Sequence, residues 1–265
     1  MSRTSIAIIG CGNMGASIAK ALSEDGRYSI SVYDADRKKA DDFAKESGAR
    51  SLASIDQAKG VDVVLIAVKP QILGSILSDL KALEPGLYIS IAAGYEIRKL
   101  EESLGGKISR YMPNLAARTR KAVTAVAFSD SMTEQEKALC LDIAAAFGSA
   151  FQLDEKLFSA FIGISGSAIA YVLEMMHQLA MGGVREGIPY PRSLEIVRDT
   201  FESATSLLKE SGLGAVELET MVCSAGGTTI EGIKALEDGN LGATLMNAVS
   251  AAAEKSRKLE SKGDK

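Results

Sequence analysis

Apolar residues follow two different patterns along this chain. Up to Asp154 they gather in short, near-continuous runs: SIAII at 5–9, YSISVY at 28–33, VDVVLIAV at 61–68, GLYISIAA at 86–93, then ISRYMPN, KAVTAVAF and SAFQLD. Runs of this length with little alternation belong to strands buried on both faces of a parallel sheet. Between the early runs lie stretches such as ILGSILSDLKAL, whose apolar positions have helical spacing. Alternating strands and helices predict an α/β domain with a doubly wound sheet over residues 1–154.

From Glu155 onward the signals are helical, in EKLFSAFIGISG, AIAYVLEMMHQLAM, PRSLEIVRDTFESATSLLKES, AVELETMVC, TTIEGIKALED and LGATLMNAVSAAAEKSRKLE. Residues 155–265 therefore read as an all-α domain. Pro191 suits a helix start, and Gly182 with Gly183 is expected to end the helix before it. That helix is apolar nearly all round, which predicts a homodimer built through these helices. The tail SKGDK is expected to fray, and no internal repeat or low-complexity segment is visible.

Composition narrows the partners. Length allows two ordinary domains, and 46% hydrophobic with 24% charged residues is globular. A net charge of -4 gives no reason to expect nucleic acid. No apolar run approaches the ~18 residues of a membrane span, so a soluble, intracellular protein is expected. Cys11, Cys140 and Cys223 are far apart, with neither a disulfide framework nor metal-ligand spacing, so no metal is expected and the cytoplasm is the expected compartment. His177 is the single histidine and sits in an apolar helical run, so histidine chemistry is set aside and a cofactor is expected to supply the reactivity.

Gly10, Gly12 and Gly15 spell GxGxxG between an apolar strand and a helix. In that setting the first glycine permits a tight turn, the second lets the backbone meet a pyrophosphate, and the third lets helix and strand pack closely. The domain thus reads as a Rossmann-type dinucleotide platform, with Asn13 and Met14 in the same fingerprint. Asp34 ends the second strand, where a carboxylate can accept from ribose hydroxyls. That slightly favours NADH, although Arg37, Lys38 and Lys39 follow and could offset repulsion of a 2'-phosphate, so NADPH stays open. An alternative role for Asp34 is a helix N-cap, one that Asp36 could also fill. Ala67, Lys69 and Pro70 in AVKPQ and Asn114 in MPN fall at the carboxyl ends of strands and are further cofactor candidates; a solvated charge and a turn residue are the plainer readings of Lys69 and Asn114.

CSAGGTTIEG at 223–232 runs two glycines into a helical pattern, and Thr228 with Glu231 reads as a capping box. The stretch is either an ordinary capped helix or an anion site at a helix N-terminus.

AVKPQ, SIAAG, MPN, SGS-x-x-AYV and CSAGGTTIEG, in one order behind a GxGxxG strand, make the chain resemble the pyrroline-5-carboxylate reductases over nearly its whole length. The resemblance implies NAD(P)H-dependent reduction of the cyclic imine to L-proline, in a dimer of interleaved helical domains often assembled further into decamers. It implies that Ser224, Gly226, Gly227 and Thr228 hold the substrate carboxylate, and that Thr229 is the catalytic hydroxyl facing the ring nitrogen. The chain departs from the family pattern at Leu115, Ala117, Ala168, Ile169, Gly212 and Ala225, and Gly214-Ala215 stands in place of a His-Pro pair. These departures leave two alternatives: a reductase of another cyclic imino acid, and a regulatory paralogue that binds the nucleotide without turnover.

Overall fold

A computed structural model describes residues 3–260, and the SKGDK tail lies outside them. Eight strands form one sheet: β1 (Thr4–Ile9), β2 (Tyr28–Tyr33), β3 (Arg50–Ser51), β4 (Val63–Ile66), β5 (Leu87–Ser90), β6 (Ile108–Pro113), β7 (Ala122–Phe128) and β8 (Gly148–Gln152). Their order is β3-β2-β1-β4-β5-β6-β7-β8. Neighbours are parallel, with Ile6 beside Ile30 and Ile8 beside Leu65, except that β7 runs antiparallel to β6. The carboxyl ends of β1, β2, β4, β5 and β6 therefore share one rim of the sheet, while those of β7 and β8 point to the other.

The unbroken apolar runs have the expected cause. Ile6 and Ile8 enter one core cluster with Ile18, Leu22 and Cys140, whereas Ala7 and Ile9 enter a second with Leu73, Leu100 and Phe158. Helices α1 (Asn13–Asp25), α2 (Arg37–Ser47) and α5 (Glu134–Ala145) supply the first cluster. Helices α3 (Pro70–Lys81), α4 (Ile97–Leu104) and α6 (Phe158–Phe161) supply the second, so the sheet is covered on both faces. Each fully buried Leu or Ile contributes about 1.5–3 kcal/mol to this arrangement.

One charged residue sits inside it. Arg110 of β6 is 1% exposed; its Nη1 donates to Glu155 Oε1 at 2.8 Å and its Nη2 to Glu260 Oε1 at 3.4 Å, with Phe158 under the guanidinium. Glu155 Oε1 also accepts from Ile97 N at the start of α4 (2.9 Å), and Ser159 Oγ donates to Glu260 Oε2 at 2.9 Å. A buried cation held this way is costly to leave unpaired.

The remaining helices are α7 (Ala168–Arg185), α8 (Tyr190–Glu210), α9 (Ala215–Val222), α10 (Thr228–Asp238) and α11 (Leu241–Glu260). Strands cease after Gln152, but the compact units divide elsewhere: one runs to Gly166 and takes back the chain from Ala252, and the other is Ser167–Ala251. The difference arises because Phe158 and Phe161 bury themselves in the second core cluster, and Ser256 and Glu260 join the Arg110 network.

Two local expectations are corrected here. Gly182 and Gly183 do not end α7, which continues to Arg185; a Cβ on Gly183 would collide with Ser193 of α8, whose Oγ donates to Ala180 O at 2.8 Å. The glycine serves a close helix crossing. The expectation about membrane-span length is also too strict, since the helical run Glu155–Arg185 is long and apolar enough to cross a membrane by length and composition. Its interspersed Gly, Ala and Ser residues break up the large apolar side chains without adding charge.

Candidate active site

The fingerprint loop is held from three sides. Gly10 N donates to Tyr33 O at 2.7 Å, Ala67 N donates to Ile9 O at 2.8 Å, and Cys11 N donates to Asp34 Oδ2 at 2.8 Å. Gly10 has φ +111, and a Cβ there would lie 2.7 Å from Ala67 O, so this position requires glycine. Gly15 is likewise pressed against Gly10 and Ala67. Gly12, by contrast, is exposed and is the N-cap of α1; a Cβ there would meet nothing within 4 Å, and no side chain caps the helix. Open space in front of uncapped N–H groups, with no acidic residue in the first turn, fits a pyrophosphate. Asn13 is exposed beside it and Met14 half-buried.

At the end of β2, Asp34 is half-buried and accepts at both oxygens, from Cys11 N and, at 2.9 Å, from Asp36 N. A carboxylate has about four acceptor sites, so a ribose hydroxyl can still be received. The N-cap of α2 is Asp36, so the alternative cap role does not fall to Asp34. Burial, followed by the Asp34 charge, pushes the Cys11 thiol up to about 12, with Lys39 acting the other way.

Lys69 is the exposed N-cap of α3 with Pro70 at its start, beside half-buried Ala67. Asn114 is 6% exposed and turned inward: Oδ1 accepts from Ala116 N and Val123 N, and Nδ2 donates to Ser165 Oγ, each at 3.2 Å. Nothing in the residues around MPN points to that network. A cleft of about 520 Å³ opens on the other rim of the sheet, lined by Phe128, Ser129 and Leu153, and none of the cofactor candidates borders it.

The second loop also departs from expectation. The N-cap of α10 is Gly227, not Thr228, and no side chain caps it. The capping box is therefore absent, because a start one residue earlier moves Glu231 out of reach of the cap N–H. Gly226 takes φ +67, and Gly227 N donates to Ser224 O at 3.0 Å, closing a tight turn. A Cβ on Gly227 would strike Ser224. Thr200, Thr205, Thr220 and Thr244 each donate their hydroxyl to the carbonyl four residues back, whereas among the described residues nothing engages the hydroxyls of Thr228 and half-buried Thr229. Free N–H groups, two free hydroxyls and a glycine turn form a cradle for an anion.

Comparison with known proteins bears on both loops. The chain is 36% identical to the pyrroline-5-carboxylate reductase of Aquifex aeolicus (strain VF5), over 96% of this chain and 97% of that one. The chain belongs to the pyrroline-5-carboxylate reductase family. The family model for pyrroline-5-carboxylate reductase dimerisation matches residues 155–259, and the one for NADP oxidoreductase, coenzyme F420-dependent, matches residues 5–94. Among solved structures, a pyrroline-5-carboxylate reductase from Coxiella burnetii superposes with a TM-score of 0.92 at 29% identity, covering 97% of this chain and 99% of that one. The Plasmodium falciparum pyrroline carboxylate reductase with NADP bound gives 0.84 at 28% identity, covering 98% and 99%. The Rossmann-type sheet followed by a helical family domain is thus common to this chain and its relatives.

Proposed function

We propose that this chain reduces 1-pyrroline-5-carboxylate to L-proline, the closing step of proline biosynthesis, with a nicotinamide dinucleotide. The observation that carries the reading is the uncapped α10 N-terminus, with its free hydroxyls, in a chain that matches the family end to end. Ser224, Gly226, Gly227 and Thr228 hold the substrate carboxylate. Thr229 receives the N–H of the protonated imine and orients the ring. Gly10, Gly12, Asn13, Met14, Gly15 and Asp34 hold the dinucleotide, with Ala67, Lys69 and Pro70 along its course and the remaining N–H of Asn114 available to it.

A bound nicotinamide supplies the hydride. The protonated imine is already electrophilic, so the residues of this chain act by fixing the carboxylate and nitrogen, which is catalysis by proximity and orientation. The Asp34 carboxylate favours NADH over NADPH. The exposed apolar helices favour a homodimer, and the family resemblance favours further assembly of such dimers into a decamer. They also favour that dimer over a membrane as the cover for the run ending at Arg185. Three free cysteines accord with the cytoplasm.

Following cofactor oxidation by absorbance, with pyrroline-5-carboxylate beside ring-size analogues, tests the reading. The expected result is a preference of at least tenfold for the five-membered imine. Faster turnover of a ring of another size would support the alternative substrate, for which the departures at Ile169 and exposed Leu115 speak. Dinucleotide binding with no turnover of any imine would point to the regulatory paralogue.

A further inference from the structure

The bonds around Asp34 carry a role beyond reading the ribose. Residue 11, the middle of the first G-x-G, is fixed at its N–H by Asp34 Oδ2, and its side chain packs on the first core cluster. The carboxylate is fixed in turn, because Oδ1 accepts from Asp36 N at the entry to α2. The peptide on the other side of Gly10 is tied to Tyr33 O. The loop thus reaches Gly12 with its path set, and the first N–H groups of α1 emerge toward open space.

We propose that Asp34 is a positioning residue: its carboxylate sets the phosphate-binding loop through the Cys11 amide, so that either dinucleotide depends on it. Without it the half-buried Cys11 N–H loses a charge-assisted hydrogen bond, and the Gly10–Cys11 peptide is free to rotate away from its set direction. A residue that only read the ribose would behave differently. Removing its charge would then relieve repulsion of a 2'-phosphate and leave the loop as it was.

The inference rests on the reductase reading for its cofactor, and Asp34→Asn separates the two. The variant keeps the side-chain shape, but its NH2 faces one of the two backbone N–H groups that the carboxylate now receives. Equilibrium binding of NADH and of NADPH to the full-length protein is measured for both proteins, with thermal melting to confirm folding. The expected result is that both dinucleotides weaken, NADH by about tenfold and NADPH by about threefold or more. Alkylation of Cys11 by iodoacetamide, followed by peptide mass, should also quicken as the neighbouring charge is lost and the loop loosens. NADPH binding as tight as in the parent protein, or tighter, overturns the proposal. Should Asp34→Asn fail to fold, Asp34→Ser provides the same comparison. Failure of the parent protein to bind either dinucleotide would instead sink the reductase reading.

Discussion

The sheet-bearing unit and the helical unit meet the same physical demand in different ways. In the first, two clusters of buried side chains sandwich the sheet, and even the cation Arg110 is buried, paired with half-buried Glu155 and Glu260. In Ser167–Ala251, Ala180 and Ser193 alone are buried among the described residues, while Leu173, Leu179, Met181, Ile196, Val216 and Met221 lie exposed. Helices of this length gain most of their stability from packing an apolar face. The contrast teaches that one unit carries its core within the chain, while the other, which matches the dimerisation family model, leaves an apolar surface of the kind that oligomerisation covers.

The sharpest way to break this contrast is to charge the helical surface. Leu173 is 60% exposed, and Leu173→Asp should weaken self-association on the order of a thousandfold, as a carboxylate is forced into an apolar interface. Sedimentation at micromolar concentration should then show monomer, with activity lost. An active monomer of the parent protein would end the contrast altogether.

A change of comparable size in the other unit should leave assembly alone. Arg110→Met removes the cation shared by Glu155 and Glu260 and should cost about 3 kcal/mol of stability, read in urea unfolding. The sedimenting species should not change. Thr229→Val, which keeps shape and removes one hydroxyl, should lower turnover about 10- to 100-fold, or roughly 1.4–2.7 kcal/mol, with dinucleotide affinity nearly unaltered. An unchanged kcat/KM would return this threonine to a plain helix start. The smallest effect is expected from Gly183→Ala, about 1 kcal/mol, because the Ser193 hydroxyl can rotate away, giving up its bond to Ala180 O, and the two helices then need part by only a few tenths of an ångström to relieve the Ser193 Cβ at 3.2 Å.

Much of this was legible because burial on two faces leaves a plain trace: VVLI and AVTAVAF became strands where their runs stand, and GxGxxG lies between β1 and α1. β3 escaped notice because two residues cannot show a pattern. Gly182-Gly183 misled because glycine usually stops a helix, and only the tertiary crossing with Ser193 explains its place. The missing cap at Thr228 could not be foreseen, since a one-residue shift of the helix start decides whether Glu231 can fold back. Arg110 did leave a signal, a lone charge in ISRYMP, but nothing local says that Glu155 and a residue 150 positions away would answer it.

The reversal of β7 has a consequence for how freely this chain can change. Because β7 and β8 end on the rim opposite the fingerprint loop, the turn at Ser129–Met132 lies away from the strand ends that carry the cofactor candidates. Length variation, tags or labels placed in that turn burden neither the dinucleotide loop nor the strand ends beside it. The single antiparallel pairing thus gives the sheet one rim where drift is limited by chemistry and another where it is limited by packing and local hydrogen bonds.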